Sequence, residues 1–439
     1  MRILHFSDVH LSVEELDYTS RLINKMLKCI KSRYGENPAI DLVVFTGDHI
    51  MRGGLDKDGN NFFSISDGFH AFKKIVVEPI CSAFNLPIDH FVITMGNHDA
   101  DWTLVDDDVK SEVIKSKCSA DILSLYHKYI EFDKAPWVKD FNWFRDNLYK
   151  DSNYSHKIGH ANLILQLNGQ TVGVSIINSS WGTIPNSNHV ILNQDQIIDS
   201  VEYLDTQRCD YKICVMHNPI FNLNEDERKI VGRLLLQNYD ACFTGHTHQQ
   251  EDFEMAKNND SCYLCIAPKL RSLIGDITEN DRRYLNGFVI FEDNFNYYSI
   301  TRGVFDETHN FVMQAQEVTP KRFLRNIQTI NALLNLNSEL KVDKYPFLIS
   351  QRLEDIMQNL VSDKYQFIRL SALSGFGKTR LIYETFKQLS DFKNTYYCET
   401  YPDNKIVFNE IKALIESHPK ENGLIILDHY CPLKMDDKY

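Results

Sequence analysis

Long apolar runs are missing from this sequence. None of eighteen residues occurs in its 439, which excludes a helix long enough to span a bilayer. No cleavable leader is expected either: the chain opens Met1-Arg2-Ile3-Leu4-His5-Phe6-Ser7-Asp8, an apolar stretch too short for a signal peptide. The mature protein is therefore expected to start at Met1 and to stay in the cytoplasm. Cysteine gives no framework, since the 10 present are scattered singly. Cys262 and Cys265 form a lone C-x-x-C within an alternating run, which reads as a buried strand rather than a zinc site. The others read as reduced core thiols. Positive charge is in deficit, with 47 Lys and Arg against 60 Asp and Glu and a net charge of −13. Such a chain does not coat long nucleic acid by bulk electrostatics, although cations bound locally can still neutralise a phosphodiester site. There is no internal repeat and no low-complexity tract.

What is present is a soluble, globular composition, 43% hydrophobic and 24% charged, in a chain long enough for two domains or three. Residues 1–100 alternate strands and helices, the pattern of a parallel sheet with a site at its strand C-termini. The apolar strand Ile3–Ser7 is followed by a helix over Tyr18–Ser32, with Leu22, Ile23, Met26, Leu27 and Ile30 at helical spacing. Further strands are expected at Asp41–Thr46 and His90–Met95, with a helix over Gly68–Phe84 between them. Residues 101–160 are aromatic and charged, with helical stretches at Ser119–Phe132 and Asp140–Tyr149, and read as a helical insertion or cap. Strands then dominate. Asn162–Leu167 and Thr171–Asn178 are joined by Asn168-Gly169, a hairpin turn, and further strands end at His217 and at Gly245-His246-Thr247-His248. The sum is two mixed sheets packed face to face with helices outside. After Thr301 the strands are expected to stop, with 306–344 a helical linker built on Lys321–Leu334 and a second module over 345–439.

Polar residues that favour metals gather at the strand ends: Asp8 and His10, Asp48, Asn97 and His98, His217, His246 and His248. One histidine after a strand is an ordinary loop residue. Five strand ends that supply eight such residues in order are hard to explain by packing. Carboxylate, imidazole and amide donors suit a divalent metal such as Mn, Fe or Zn. The order Asp8-Val9-His10, Gly47-Asp48, Gly96-Asn97-His98-Asp99, His217, Gly245-His246-Thr247-His248 resembles the signature of calcineurin-like metallophosphoesterases over residues 1–305. The resemblance implies a four-layer α/β/β/α sandwich with two metal ions, manganese first among the candidates. It implies one ion on Asp8, His10 and His248, one on Asn97, His217 and His246, and Asp48 as a bridge. His98 then protonates the leaving oxygen or stabilises its charge. Asp99 either orients His98 or caps a helix. Arg52 is a candidate for gripping phosphate.

The protein phosphatases of that superfamily carry Gly-Asp-x-Val-Asp-Arg-Gly. Here the stretch is Gly47-Asp48-His49-Ile50-Met51-Arg52-Gly53, and Met51 cannot orient an imidazole as an aspartate does. The chain start and the Gly-Asn-His-Asp are more similar to phosphodiesterase branches, among them the SbcD-type nucleases and the class III cyclic-nucleotide phosphodiesterases.

Near the C-terminus the strand Phe367–Leu370 leads into Ser374-Gly375-Phe376-Gly377-Lys378-Thr379, the close of a Walker A loop whose first glycine is replaced by Ala372. Backbone amides around Gly375, Gly377 and Lys378 would cradle ATP phosphates, and Thr379 would meet Mg. The apolar run Leu424–Leu427 ends in Asp428, as in Walker B. This part resembles the start of a STAND-type NTPase, a partial P-loop α/β module expected to belong to a longer protein. The resemblance implies nucleotide-driven homo-oligomerisation controlling an N-terminal effector, often in defence against phage. The expected activity is a dinuclear metal phosphodiesterase acting on nucleic acid or nucleotides, with no membrane partner. A phosphomonoesterase such as a protein phosphatase, and a nucleotide-sensing scaffold with a non-catalytic metal domain, are the alternatives.

Overall fold

The computed structural model describes residues 1–51, 64–116, 118–131, 134–183, 190–248, 250–257, 260–270, 286–293, 297–306, 310–320, 327–329, 381, 385, 395–399 and 424–428. The chain divides into two compact units, Met1–Pro320 and Lys321–Tyr439.

The first unit begins with three strands, β1 (Arg2–Phe6), β2 (Leu42–Phe45) and β3 (Phe91–Ile93). They pair in parallel, Phe6 beside Phe45 and Phe45 beside Ile93. Parallel neighbours need crossovers, supplied by α1 (Leu16–Tyr34) and by the run from α2 (Ile65–Phe72) to α3 (Glu78–Phe84). On α1 the residues Leu22, Ile23, Met26, Leu27 and Ile30 are buried, the stripe that 3.6-residue spacing requires. On the other side β1 pairs antiparallel with β11 (Gly287–Asp293), which pairs with β12 (Tyr297–Phe305). The outer edge of β12 carries β13 (Phe311–Met313) and β14 (Glu317–Pro320).

The second sheet runs in the order β4 (Tyr154–His156), β5 (His160–Leu167), β6 (Gln170–Ile177), β7 (Tyr211–Val215), β8 (Ala241–Thr244), β10 (Asp260–Ile266), β9 (Glu251–Lys257). Its middle is parallel, from β6 through β7 and β8 to β10. The β5–β6 hairpin turns on Asn168 and Gly169, both with positive φ, which a two-residue turn of this hand requires. Helices α7 (Asp195–Thr206) and α8 (Glu225–Asn238) pack against this sheet. Its other face meets the first sheet in one apolar core. There Phe243 packs edge-on against Phe291 at 5.3 Å and against His5 at 4.9 Å, and Thr94 Oγ1 donates to Ile177 O across the seam.

Several expectations need correction. Where the expected helical linker over 306–344 is described it is not helical: β12 ends at Phe305, and β13 and β14 complete the first sheet. Both strands take the otherwise free edge of β12; of Lys321–Leu334, where the helical spacing lies, only Ile327–Thr329 is among the described residues. Ile327–Thr329 is also a strand, antiparallel to Thr395–Glu399. The helical insertion is real in α4 (Asp107–Lys115), α5 (Ser119–Tyr126) and α6 (Lys139–Leu148), but Tyr154–His156 already belongs to the second sheet. Cys262 lies in the core beneath α8 and Cys265 in the core between the sheets; opposite faces of one strand do not offer paired thiolates to a single zinc. No helix among the described residues is long and apolar enough to cross a membrane.

The sheet-to-sheet contact yields a test. Phe243 is fully buried, and Phe243→Ala is expected to destabilise the first unit by about 3–5 kcal/mol, read as a lower midpoint in urea titration.

Candidate metal centre

All five site-bearing loops leave the C-terminal ends of parallel strands: Asp8 follows β1, Asp48 follows β2, Asn97 follows β3, His217 follows β7, and His246 and His248 follow β8. The sheet ladder continues into them. Asp8 N donates to Gly47 O, His10 N to Asp48 O and Leu11 N to His49 O, at 2.9–3.1 Å. The loops then turn sharply. Asp8, His10, Asp48, His246 and His248 all have φ between 47° and 68°, a region that costs a non-glycine residue about 1–3 kcal/mol and that collects at functional sites. Close approach of two loops is allowed by Gly96, where an added Cβ would lie 2.1 Å from Asp48 N and 2.2 Å from Asp48 Oδ1.

The side chains converge in two groups. In one, Asp8 Oδ1 lies 3.3 Å from His248 Nε2 and 3.7 Å from His10 Nε2. In the other, Asn97 Oδ1 lies 2.9 Å from both His217 Nε2 and His246 Nδ1, which are 3.2 Å apart. Between them, Asp48 Oδ2 stands 3.6 Å from His10 Nε2 and 3.6 Å from His217 Nε2. Backbone amides fix the two carboxylates: His98 N donates to Asp48 Oδ1 and His246 N to Asp8 Oδ2.

This arrangement lacks the protons it would need to stand alone. His217 Nδ1 lies 2.6 Å from Thr46 O, a carbonyl that can only accept, so that nitrogen carries the ring's hydrogen. Burial lowers the pKa of His217 and brings His246 down to about 3, which keeps both rings neutral. The triangle of Asn97 Oδ1, His217 Nε2 and His246 Nδ1 then holds at most one hydrogen among three lone-pair donors. Asp8 Oδ1 is buried, and the His248 ring 3.3 Å away does not make a well-aligned hydrogen bond to it. Burial opposes charge on both aspartates. At Asp8 the interaction with His248, ahead of the other neighbours, outweighs it and holds the carboxyl well below the usual range. Asp48 is pushed well above that range by burial and by the charges of Asp8 and Asp99. A pocket of converging lone pairs and crowded carboxylates fits divalent cations with nitrogen and oxygen ligands.

A sequence model of the calcineurin-like phosphoesterases matches residues 1–250. The chain belongs to this family. It is accordingly a metal-dependent phosphoric ester hydrolase. No curated protein matches it. Among solved structures, it is similar to Vacuolar Protein Sorting 29 from Cryptosporidium parvum (12% identity, 73% of this chain and 98% of that one, TM-score 0.28). It is also similar to purple acid phosphatase PPD1 from yellow lupin (12%, 71% and 53%, TM-score 0.39) and to the NAD nucleotidase of Haemophilus influenzae (12%, 73% and 56%, TM-score 0.33).

Other residues singled out in the sequence fare differently. His98 sits at the side of this phosphoesterase centre, its ring edge-on to His10 at 4.6 Å and 5.3 Å from Trp102; burial is the main reason its pKa falls to about 4. Asp99 was a candidate for orienting His98, yet its carboxylate serves the backbone. Oδ1 accepts from His49 N and Ile50 N, and Oδ2 from Asp48 N and Gly96 N. The Gly96 bond is the helix-capping alternative, extended to a second loop. Arg52 and the P-loop residues Gly375, Gly377, Lys378 and Thr379 lie outside the described residues. Asp428 ends a strand, Leu424–Asp428, parallel to Thr395–Glu399. His49 carries little signal in the sequence, being a histidine in an otherwise apolar stretch beside Gly47-Asp48.

Cations that bind only the folded phosphoesterase stabilise it by mass action, about 2.7 kcal/mol at a hundredfold excess over Kd. Manganese is expected to raise the melting temperature of chelator-treated protein by several degrees. Gly96→Ala, which pushes a methyl into Asp48, is expected to abolish that rise; an unchanged rise would contradict the geometry of the interlocked loops.

Proposed function

We propose that this phosphoesterase hydrolyses phosphodiesters in nucleic acid or nucleotides, using two divalent cations on Asp8, His10 and His248 and on Asn97, His217 and His246, with Asp48 shared. The observation that carries the reading is the position of Asp48 Oδ2, equally distant from a histidine of each group. Two neighbouring cations need a common anion to offset their repulsion. When bound, such a pair supplies Lewis acidity, drawing charge from phosphoryl oxygens and lowering the pKa of water. The chain's own residues do the rest. Water oxygen forms the new bond to phosphorus as its proton passes to solvent, the ester P–O bond breaks, and the His98 ring N–H hydrogen-bonds the departing oxygen and stabilises its charge until that oxygen takes a proton from solvent. His10 and Trp102 hold that ring in place.

Preference for a diester is supported by Met51, which stands where the phosphatases place an aspartate. Bis(p-nitrophenyl) phosphate should be turned over with manganese and exceed p-nitrophenyl phosphate in kcat/KM. Asp48→Ala and His217→Ala should reduce turnover to background. A faster monoester reaction would make the protein a phosphomonoesterase, and an inert protein across divalent metals would favour the scaffold.

The same proposal makes the second unit a nucleotide-responsive control element, with ATP and Mg at Gly375, Gly377, Lys378, Thr379 and Asp428. The motif supports this, together with the parallel pairing of the strand that ends at Asp428. Labelled ATP should bind the full chain and be lost in Lys378→Ala; equal binding by the variant would remove the element from the proposal.

A further inference from the structure

We propose that His49 is a positioning residue for the shared carboxylate, acting through Asp99, and that it ties the insertion helix α6 to the metal loops. The inference rests on the metal-centre reading above.

His49 follows Asp48 directly and is fully buried. Its ring lies in a box of five phenylalanines: Phe45 of β2, Phe69 and Phe72 of α2, and Phe141 and Phe144 of α6, with centroids 4.6–6.1 Å away. Its Nδ1 lies 2.8 Å from Asp99 Oδ2. A carboxylate only accepts, so this nitrogen is the donor. Its Nε2 is buried with no hydrogen-bond partner.

That environment does not call for an imidazole. A box of phenylalanines accepts another apolar ring readily, whereas a buried ring nitrogen without a partner lowers stability. What histidine adds is the bond to Asp99. Asp99 is the residue that clamps the loops after β2 and β3 together, through the amides of Asp48, His49, Ile50 and Gly96. Asp48 holds a left-handed backbone within that clamp, φ 58°, and its carboxylate faces both histidine groups. Fixing the plane of Asp99 fixes the Asp48 amide, and so the direction of the carboxylate that follows from it. Groups that orient a metal ligand from behind typically govern about 10–100-fold in metal affinity. Because Phe141 and Phe144 belong to α6, the position of the insertion bears on the same ring.

Two variants of the full chain separate this role from packing. His49→Phe keeps the aromatic filling and removes the donor. His49→Asn keeps a side-chain N–H near the place of Nδ1 and removes the aromatic filling. Calorimetric titration of manganese into chelator-treated protein, beside melting temperatures, is the measurement. His49→Phe is expected to bind manganese about 10–100-fold more weakly with little loss of melting temperature. His49→Asn is expected to melt earlier yet to retain most of the affinity. Wild-type affinity in His49→Phe overturns the inference, as does equal weakening in both variants. If His49→Phe does not fold, affinity in His49→Asn decides: retained, it supports the donor role, and lost, it ends it. A wild-type chain that takes up no manganese would instead overturn the metal-centre reading, and would do so before any variant was made.

Discussion

Two aspartates, Asp8 and Asp48, lie buried beside one another at the tops of adjacent parallel strands, and much of the first unit is arranged to keep them there. Like charges in a low-dielectric pocket oppose folding unless something neutralises them. The backbone answers in part, through amide donors from His98 and His246. Four imidazoles and one amide oxygen surround what is left. The strained left-handed turns at Asp8, His10, Asp48, His246 and His248 persist because ladder hydrogen bonds run on from the strands into the loops and hold them. Five of the nine described non-glycine residues with positive φ lie at this centre, as strain collects at functional sites.

Neither sheet is sufficient. The first supplies Asp8, His10, Asp48, Asn97 and His98, and the second supplies His217, His246 and His248. The distance from Asp48 to His217 is therefore set by how the sheets pack. The apolar core between them, with Phe243 against Phe291 and His5, and the hydrogen bond from Thr94 to Ile177 serve as the spacer. Leu270 N donates to Ser7 O beside the β1 loop, adding a backbone tie next to Asp8. A core substitution far from any ligand can thus alter the centre by changing sheet separation.

What could be read in the sequence follows from this logic. A parallel strand is apolar throughout and its polar residues begin where it ends, so the candidate ligands at the ends of β1, β2, β3, β7 and β8 announce themselves. The Asn168-Gly169 hairpin was legible because its backbone conformation is nearly exclusive to such residues. Edge elements were harder. β13 and β14 are short and partly exposed, with Val312 and Val318 facing solvent, and only the open edge of β12 makes them strands. Asp99 and His49 were out of reach for another reason. Their pairing spans fifty positions, and no local pattern tells a capping aspartate from one that clamps two loops.

This placement of Asp99 also bears on how the protein differs from the protein phosphatases of its superfamily. Where those enzymes use a second aspartate to hold the catalytic imidazole, this chain has Met51, and its nearby buried carboxylate works on backbone amides and His49. The His98 ring lies against aromatic neighbours. His10 meets it edge-on, and Trp102 lies beside it with the indole N–H anchored on Asn97 O at 2.9 Å. Trp102 opens the insertion, and α6 of that insertion reaches His49. The same segment thus reaches the centre twice, once beside the His98 ring and once, through His49 and Asp99, behind Asp48. A segment placed in this way can tune the centre for its substrate while every ligand residue stays the same.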